Sequence, residues 1–544
     1  MKYIKKLCSI AAIFMFFPAI VSAYSNSNKF LQTAVLGDEE EVPGISVYER
    51  SHPIREIRAV WLTTIMSLDW PKVKANDALG IERQKAELVR ILDQYQKANI
   101  NTVIFQTRVR GSVIYPSKIE PWEECLTGHP CKDPGYDPLA FAIEECHKRG
   151  MELHSWVVCI PLGKVARMNT YGNAAISKKR KDLCKTASGE YFMIPGKPET
   201  ADYLAKICEE IIDNYDVDGI SLDYIRYPES LYKFSDDECY SSASGMNRND
   251  WKRENITRIV RRIHDVVKAK KPWVKLSSSP IGKYNDLVRY SSKGWNCYNA
   301  VWQDPQMWLR TNLQDVLFPM MYFKDNHFFP FLLNWKECNY GHPVVPGLGI
   351  YFLDPSEGNW VLNDVRQEMH AIRNTGIGGM AFYRSAFLTR NCKGIYDTAC
   401  DEFFPYPAMT TRMLWMGDTI APSAPQSIKY ANGKVTWDKV TDKKEVLYNV
   451  YGANVYPVDV TKAENLLAVN VRSTSFDIKG RASKVRYYAV TSIDRFGNES
   501  APVQEAKSGY VHPEHLNVPY LINRDKAGEK KKTTGKKKKK KRSA

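Results

Sequence analysis

Apolar, strand-like runs alternate with helical stretches eight times between about residues 57 and 400, and few folds accommodate that rhythm. The strand-like runs are 57–64, 101–108, 152–159, the segment 217–228, then 274–279, 316–323, 344–352 and 378–384. Helical periodicity follows each in turn: 80–98, 137–149, 199–215, 250–270, 305–311, 328–335, 360–374 and a weak stretch at 392–400. Such a series predicts an α/β fold, a (β/α)8 TIM barrel with enlarged loops, over residues 52–405. The rival, a doubly wound open sheet, calls for a glycine-rich phosphate turn after an early strand. Neither Thr63-Thr64 nor Arg108-Val109-Arg110-Gly111 provides one.

The flanks differ from the repeat. Lys2, Lys5 and Lys6 precede an apolar run from about Ile10 to Val21, closed by Val21-Ser22-Ala23. This reads as a secretory signal peptide over residues 1–23, since the run falls short of the roughly 20 residues a membrane span needs. Residues 24–51 are polar and acidic and read as a leader. The expectation is an exported chain, periplasmic, surface-bound or secreted in a bacterium, with no transmembrane segment after cleavage.

After Pro405 the pattern becomes short alternating strands, at 434–437, 445–451, 475–478 and 486–493, entered through Ala421-Pro422-Ser423-Ala424-Pro425. This predicts a small all-β sandwich at residues 422–508. Trp437, the pair Tyr487-Tyr488 and the run Ala489 to Ser500 resemble a fibronectin type III module, which implies a spacer or weak binding element. Residues 509–544 end in a lysine-rich tail, expected to be disordered. From Arg524 onward twelve Lys or Arg stand against Asp525 and Glu529. Most of the net charge of +16 therefore sits in the tail and the first six residues, and the folded body is near neutral. That argues against nucleic acid as a partner and allows the tail an anionic envelope surface. Twelve cysteines include no CxxC pair, so no metal and no cofactor is expected. Cys125 with Cys131, and Cys392 with Cys400, are candidates for local disulfides, whereas Cys146, Cys159 and Cys208 read as core thiols.

Barrel chemistry is carried at the C-terminal ends of the strands. In the fourth run, Ser221 and Asp223 share one face of the strand while Ile220 and Leu222 share the other. A lone buried carboxylate costs several kcal/mol, on the order of what a functional site repays. Asp223 is the candidate catalytic group, to be weighed against a structural acid paired with an arginine. Around it the strand ends supply Arg108, Tyr115, His154, Trp156, Tyr224, Arg226, Tyr227, Tyr322 and Tyr383, read as substrate-binding. Aromatic faces and planar donors suit sugar rings, although singly each aromatic also fits a packing role. Glycoside hydrolysis employs two carboxylic groups, and Asp304 is the second candidate, with a helix N-cap as its other reading. Asp325, Glu120 and Asp69 follow it. No Gly-x-Ser-x-Gly elbow, His-Glu-x-x-His or P-loop appears.

Residues 52–400 resemble glycosyl hydrolase-like family 10. The matching pieces are 58–64, 101–108 with Tyr115-Pro116-Ser117 and Glu120-Pro121-Trp122, Asp137-Pro138-Leu139, 147–150, 152–156, 218–228, Ser279 to Gly282, and 319–322. The resemblance implies a barrel protein with glycosidase-like action on O-glycosidic bonds of a polysaccharide, plausible substrates being bacterial envelope glycans. The chain departs from the family pattern at Tyr224, where many members carry a second aspartate, at Val158 to Pro161, and at Met320-Met321. The first departure leaves open a catalytically weak glycan-binding or surface-assembly protein that uses the barrel mouth.

Overall fold

A computed structural model describes residues 52–506, apart from 242–244, 291–293 and 443–444. The expected signal peptide, leader and lysine-rich tail lie outside the described residues. The first strands are β1 (Ile57–Leu62), β2 (Thr102–Arg108) and β3 (Glu152–Val158). A three-stranded antiparallel insertion follows, β4 (Pro161–Lys164), β5 (Cys184–Ala187) and β6 (Glu190–Met193). The series resumes with β7 (Gly219–Asp223), β8 (Lys275–Ser278), β9 (Val316–Leu317), β10 (Gly347–Leu348) and β11 (Gly379–Phe382).

These strands form one eight-stranded parallel sheet in the order β10-β11-β1-β2-β3-β7-β8-β9. Parallel bridges Leu317–Val344 and Met320–Gly347 bring its two edges together, with Val345 N donating to Leu317 O at 2.8 Å and Gly347 N to Pro319 O at 2.8 Å. The sheet is thus curled as in a TIM barrel. β9 and β10 are shorter than their apolar runs because Pro319 and Pro346 have no N–H to give a ladder.

The helices follow their local signals. Asp77 caps Ala78–Lys97 by accepting from Gly80 N, and Asp137 caps Pro138–Lys148 with proline at the first position, caps of about 1 kcal/mol each. Leu88, Leu92 and Tyr95 of the first of these are fully buried at helical spacing. The stretch 392–400 is broken into short turns, because Asn391, Lys393 and Gly394 all take positive φ. Inside the sheet a separate cluster gathers Ile57, Ala59, Trp61, Ile104, Trp156, Val158, Val316, Phe318, Val345 and Ala381. They alternate with the outward-facing residues along the strands, Phe318 just after β9 and Val345 just before β10.

The opposite end is closed by the segment after Phe404. Arg58 Nη1 donates to Tyr406 O at 2.6 Å, Asn101 Nδ2 to Ala408 O at 2.9 Å and Trp415 Nε1 to Asp315 Oδ1 at 2.7 Å. Beyond it stand two antiparallel sheets: β12 (Lys429–Ala431), β13 (Lys434–Thr436) and β16 (Ser475–Asp477) in one, β14 (Val446–Ala453), β15 (Leu466–Val471), β17 (Tyr487–Asp494) and β18 (Val503–Ala506) in the other. Val435 and Trp437 from the first sheet share a core with Tyr448, Val450, Tyr488 and Val490 from the second.

This module is seated on the N-terminal end of the parallel sheet. Arg495 reaches Asp216 and Asp218 at 2.9 Å each and Glu445 at 2.8 Å. Asp218, the residue before β7, also accepts from Leu153 N and pairs with His147, both at 2.8 Å. Arg495 and these hydrogen bonds outweigh burial and hold the Asp218 carboxyl below the usual carboxylate range. Among the described residues the cysteines are free thiols, Cys125, Cys131, Cys392 and Cys400 included, so the expected loop disulfides are not formed. Cys125 is buried and Cys131 exposed, with Cys131 Sγ directed at Tyr171 O.

Candidate active site

β7 carries three inward positions: Gly219 at its base, Ser221 in the middle and Asp223 at the top. Glycine is required at the base, since a Cβ there would lie 2.6 Å from the His154 ring. Asp223 is 5% exposed. Its Oδ2 accepts from Trp156 Nε1 at 3.0 Å and its Oδ1 from the Tyr224 amide at 2.7 Å. Burial pushes the carboxyl above its ordinary range, while Arg226, these two donors and Arg110 pull the other way. A shift in that direction favours the protonated form, the form that can give a proton to a leaving oxygen.

Tyr224 turns the chain off the strand with φ of 50°, which aims its amide back at Asp223. Its ring lies 4.3 Å beneath the Arg226 guanidinium, which also stands 5.4 Å from the Trp295 ring. Arg226 is 4% exposed and pairs with Glu229 through Nη2 at 2.8 Å; its Nε and Nη1 have no protein acceptor. A buried guanidinium with donors to spare beside Asp223 is arranged to hold a polar ligand. On the far side Tyr322 and Tyr383 stack at 5.2 Å, and Tyr351 meets both edge-on at 5.8 Å. Burial raises the hydroxyls of Tyr322 and Tyr383, and the charge of Asp223 adds to the effect at both.

Of the residues singled out from sequence, Asp223, Trp156, Tyr224, Arg226, Tyr322 and Tyr383 come together in this arrangement. Others are engaged elsewhere. Arg108 is wholly buried, with Nε and Nη2 on Glu120 at 2.8 and 2.7 Å and Nη1 on the carbonyls of Val158 and Cys159. It is thus occupied in bracing β2 against β3 and does not reach a ligand, and Glu120 is spent with it. Tyr115 is buried against Tyr215 and gives its hydroxyl to Glu210 at 3.2 Å. His154 lies at the opposite end of the interior, paired with Glu152 at 3.0 Å, where Lys275 and Thr410 also bind that carboxylate. Tyr227 is buried between Asp236 and Asn255, at 2.9 and 2.8 Å. For these four, packing holds a side chain that period and position had directed at the mouth.

Asp304 is the N-cap of the helix Pro305–Arg310 and accepts from Met307 N at 3.2 Å and Tyr284 Oη at 2.8 Å. Asp69 is bound by Thr63, by Ala386 N and by Arg384. Glu229 and Trp295 belong to the site although the strand-end rule does not select them; the i,i+3 spacing of Arg226 and Glu229 was the available signal for the former. Among the described residues no three His, Cys, Asp or Glu side chains gather as a metal site, and no helix is long and apolar enough to cross a membrane.

The glycosyl hydrolase-like 10 family model matches residues 56–345, which spans β1 to β9 and hence Asp223. The chain belongs to that family. Glycosyl hydrolase YngK of Bacillus subtilis strain 168 is 28% identical over 505 residues, 87% of this chain and 97% of that one. Glycosyl hydrolase DigH of Escherichia coli K12 is 31% identical over 301 residues, 52% of this chain and 68% of its relative. Among solved structures, the PgaB (BpsB) glycoside hydrolase domain from Bordetella bronchiseptica aligns with a TM-score of 0.46 at 12% identity, covering 65% of this chain and 99% of that one.

Proposed function

We propose that this chain is an exported glycoside hydrolase that cleaves O-glycosidic bonds of a polysaccharide, a bacterial envelope glycan being the substrate we favour. The observation that carries the reading is Asp223, a carboxyl at the end of β7 that burial pushes above its ordinary range and whose surroundings are aromatic and arginine-lined. In this reading Asp223 protonates the glycosidic oxygen, as the acid of a glycosidase does. Arg226 binds the sugar through Nε and Nη1, and Tyr322 and Tyr383 meet its C–H face. Residues 52–405 act as a (β/α)8 barrel, residues 422–508 as a fibronectin type III-like sandwich, and the lysine-rich tail lies against an anionic envelope surface. Release of new reducing ends from cell-wall glycan by the full-length protein tests the reading; none on prolonged incubation refutes it.

One observation favours a second reading, a glycan-binding protein of weak catalysis. Three of the four acids weighed as the second group have other partners: Asp304 caps a helix, Asp69 holds Thr63 and Arg384, and Glu120 holds Arg108. Glycan binding without reducing-end release supports that alternative.

A further inference from the structure

A continuous run of aromatic rings leaves the Asp223 site along the loop after β10. Tyr383 and Tyr322 stack at 5.2 Å, and Tyr351 stands edge-on to both. Phe352 lies 4.1 Å from Tyr351, and Trp360 stacks on Phe352 at 4.7 Å with planes 23° apart. All five side chains are only half-buried. The chain keeps this surface rigid. Asp354 O accepts from the amides of Glu357, Gly358 and Asn359 at 3.0–3.2 Å, and Trp360 N donates to Phe352 O at 2.7 Å. Lys393 Nζ fastens the far end on Asn359 Oδ1 and Trp360 O at 2.7 and 2.8 Å. Gly358 is needed for the fit, since a Cβ there would lie 2.5 Å from the Phe352 ring.

The polar groups beside the run are few and balanced. Lys324 Nζ stands 5.4 Å from the Trp360 ring, its charge met by Asp364 at 3.0 Å. A pinned, half-exposed row of rings with scattered donors and little net charge suits the apolar faces and hydroxyls of successive sugars. Its continuity with the residues around Asp223 decides the occupant: one linear glycan would lie across both.

We propose that the protein binds an extended oligosaccharide, with Trp360 as a distal subsite remote from the bond at Asp223. The inference rests on the glycosidase reading for the sugar at Asp223 but concerns binding, so the two can fail separately. The test is calorimetric titration of the full-length Asp223→Asn protein with size-fractionated cell-wall glycan fragments, from disaccharide upward. Affinity is expected to rise with chain length. Adding Trp360→Ala should cost about tenfold for the long fragments and leave the disaccharide unchanged, whereas Trp360→Phe, which keeps a ring, should recover most of the loss. Length-independent affinity, an equal loss at every length, or no binding to any fraction overturns the proposal. Length-dependent binding in a protein whose wild type releases no reducing ends sinks the hydrolase reading and leaves the distal subsite standing.

Discussion

Trp156 Nε1 donates to Asp223 Oδ2 at 3.0 Å, joining the tops of two adjacent strands of the parallel sheet. The indole belongs to the interior core, yet its one polar atom serves the carboxylate. The bond stabilises the ionised form and so opposes the burial that raises the carboxyl.

Trp156→Phe keeps the ring and removes the donor. The ionised Asp223 then loses a partner, its carboxyl rises further, and the alkaline limb of the activity profile shifts to higher pH. A pH series of kcat/KM for wild type and variant measures the shift. A move to lower pH would contradict the assigned role of the bond.

Asp223→Asn should not weaken the fold at neutral pH. A carboxyl raised in the folded state binds its proton more tightly there than in the unfolded chain. Wild type therefore loses stability as pH rises from about 4, the unfolded value, through the folded one. The asparagine variant escapes that loss, so its Tm should equal or exceed wild type at pH 7 and the two should converge in acid. Thermal melts across pH check this.

Arg495→Met removes the cation that Asp216 and Asp218 share at the foot of β7. Leaving Asp218 buried without that partner should cost about 3–5 kcal/mol. Asp218 lies below the usual carboxylate range, so its contribution is present above the unfolded value and disappears as pH falls. The gap between wild type and variant should accordingly be large at pH 7 and narrow in acid, in denaturant titrations at each pH.

Gly150 tests the same junction sterically. It has φ of 71°, and a Cβ would come within 2.3 Å of Val469 O in the C-terminal module. Gly150→Ala should destabilise by roughly 1–3 kcal/mol and speed protease cleavage between the two parts. Unchanged cleavage would show that the seat tolerates movement.

Much of this architecture is legible in the sequence, because strands and helices each declare themselves by period. All eight apolar runs become strands of the parallel sheet, and Asp223 falls inward by simple alternation from Ser221. What period does not reveal is how far along the interior a residue stands. His154 and Trp156 share one face of β3, yet His154 meets Glu152 at one end and Trp156 meets Asp223 at the other. Nor does it reveal prior commitments: Arg108 is an exposed-type residue by identity, and a long-range pairing with Glu120 buries it. The insertion β4–β6 is short, polar in part and hairpin-paired, so it breaks the rhythm without a signal of its own.

The central claim is that Asp223 supplies the proton for glycosidic cleavage. The direct measurement is release of reducing ends from cell-wall glycan by Asp223→Asn beside wild type, with glycan binding and Tm recorded on the same samples. Binding and fold should be retained while turnover falls about 10²–10⁴-fold, the usual contribution of a general acid. Turnover equal to wild type in a folded, glycan-binding Asp223→Asn protein would contradict the account.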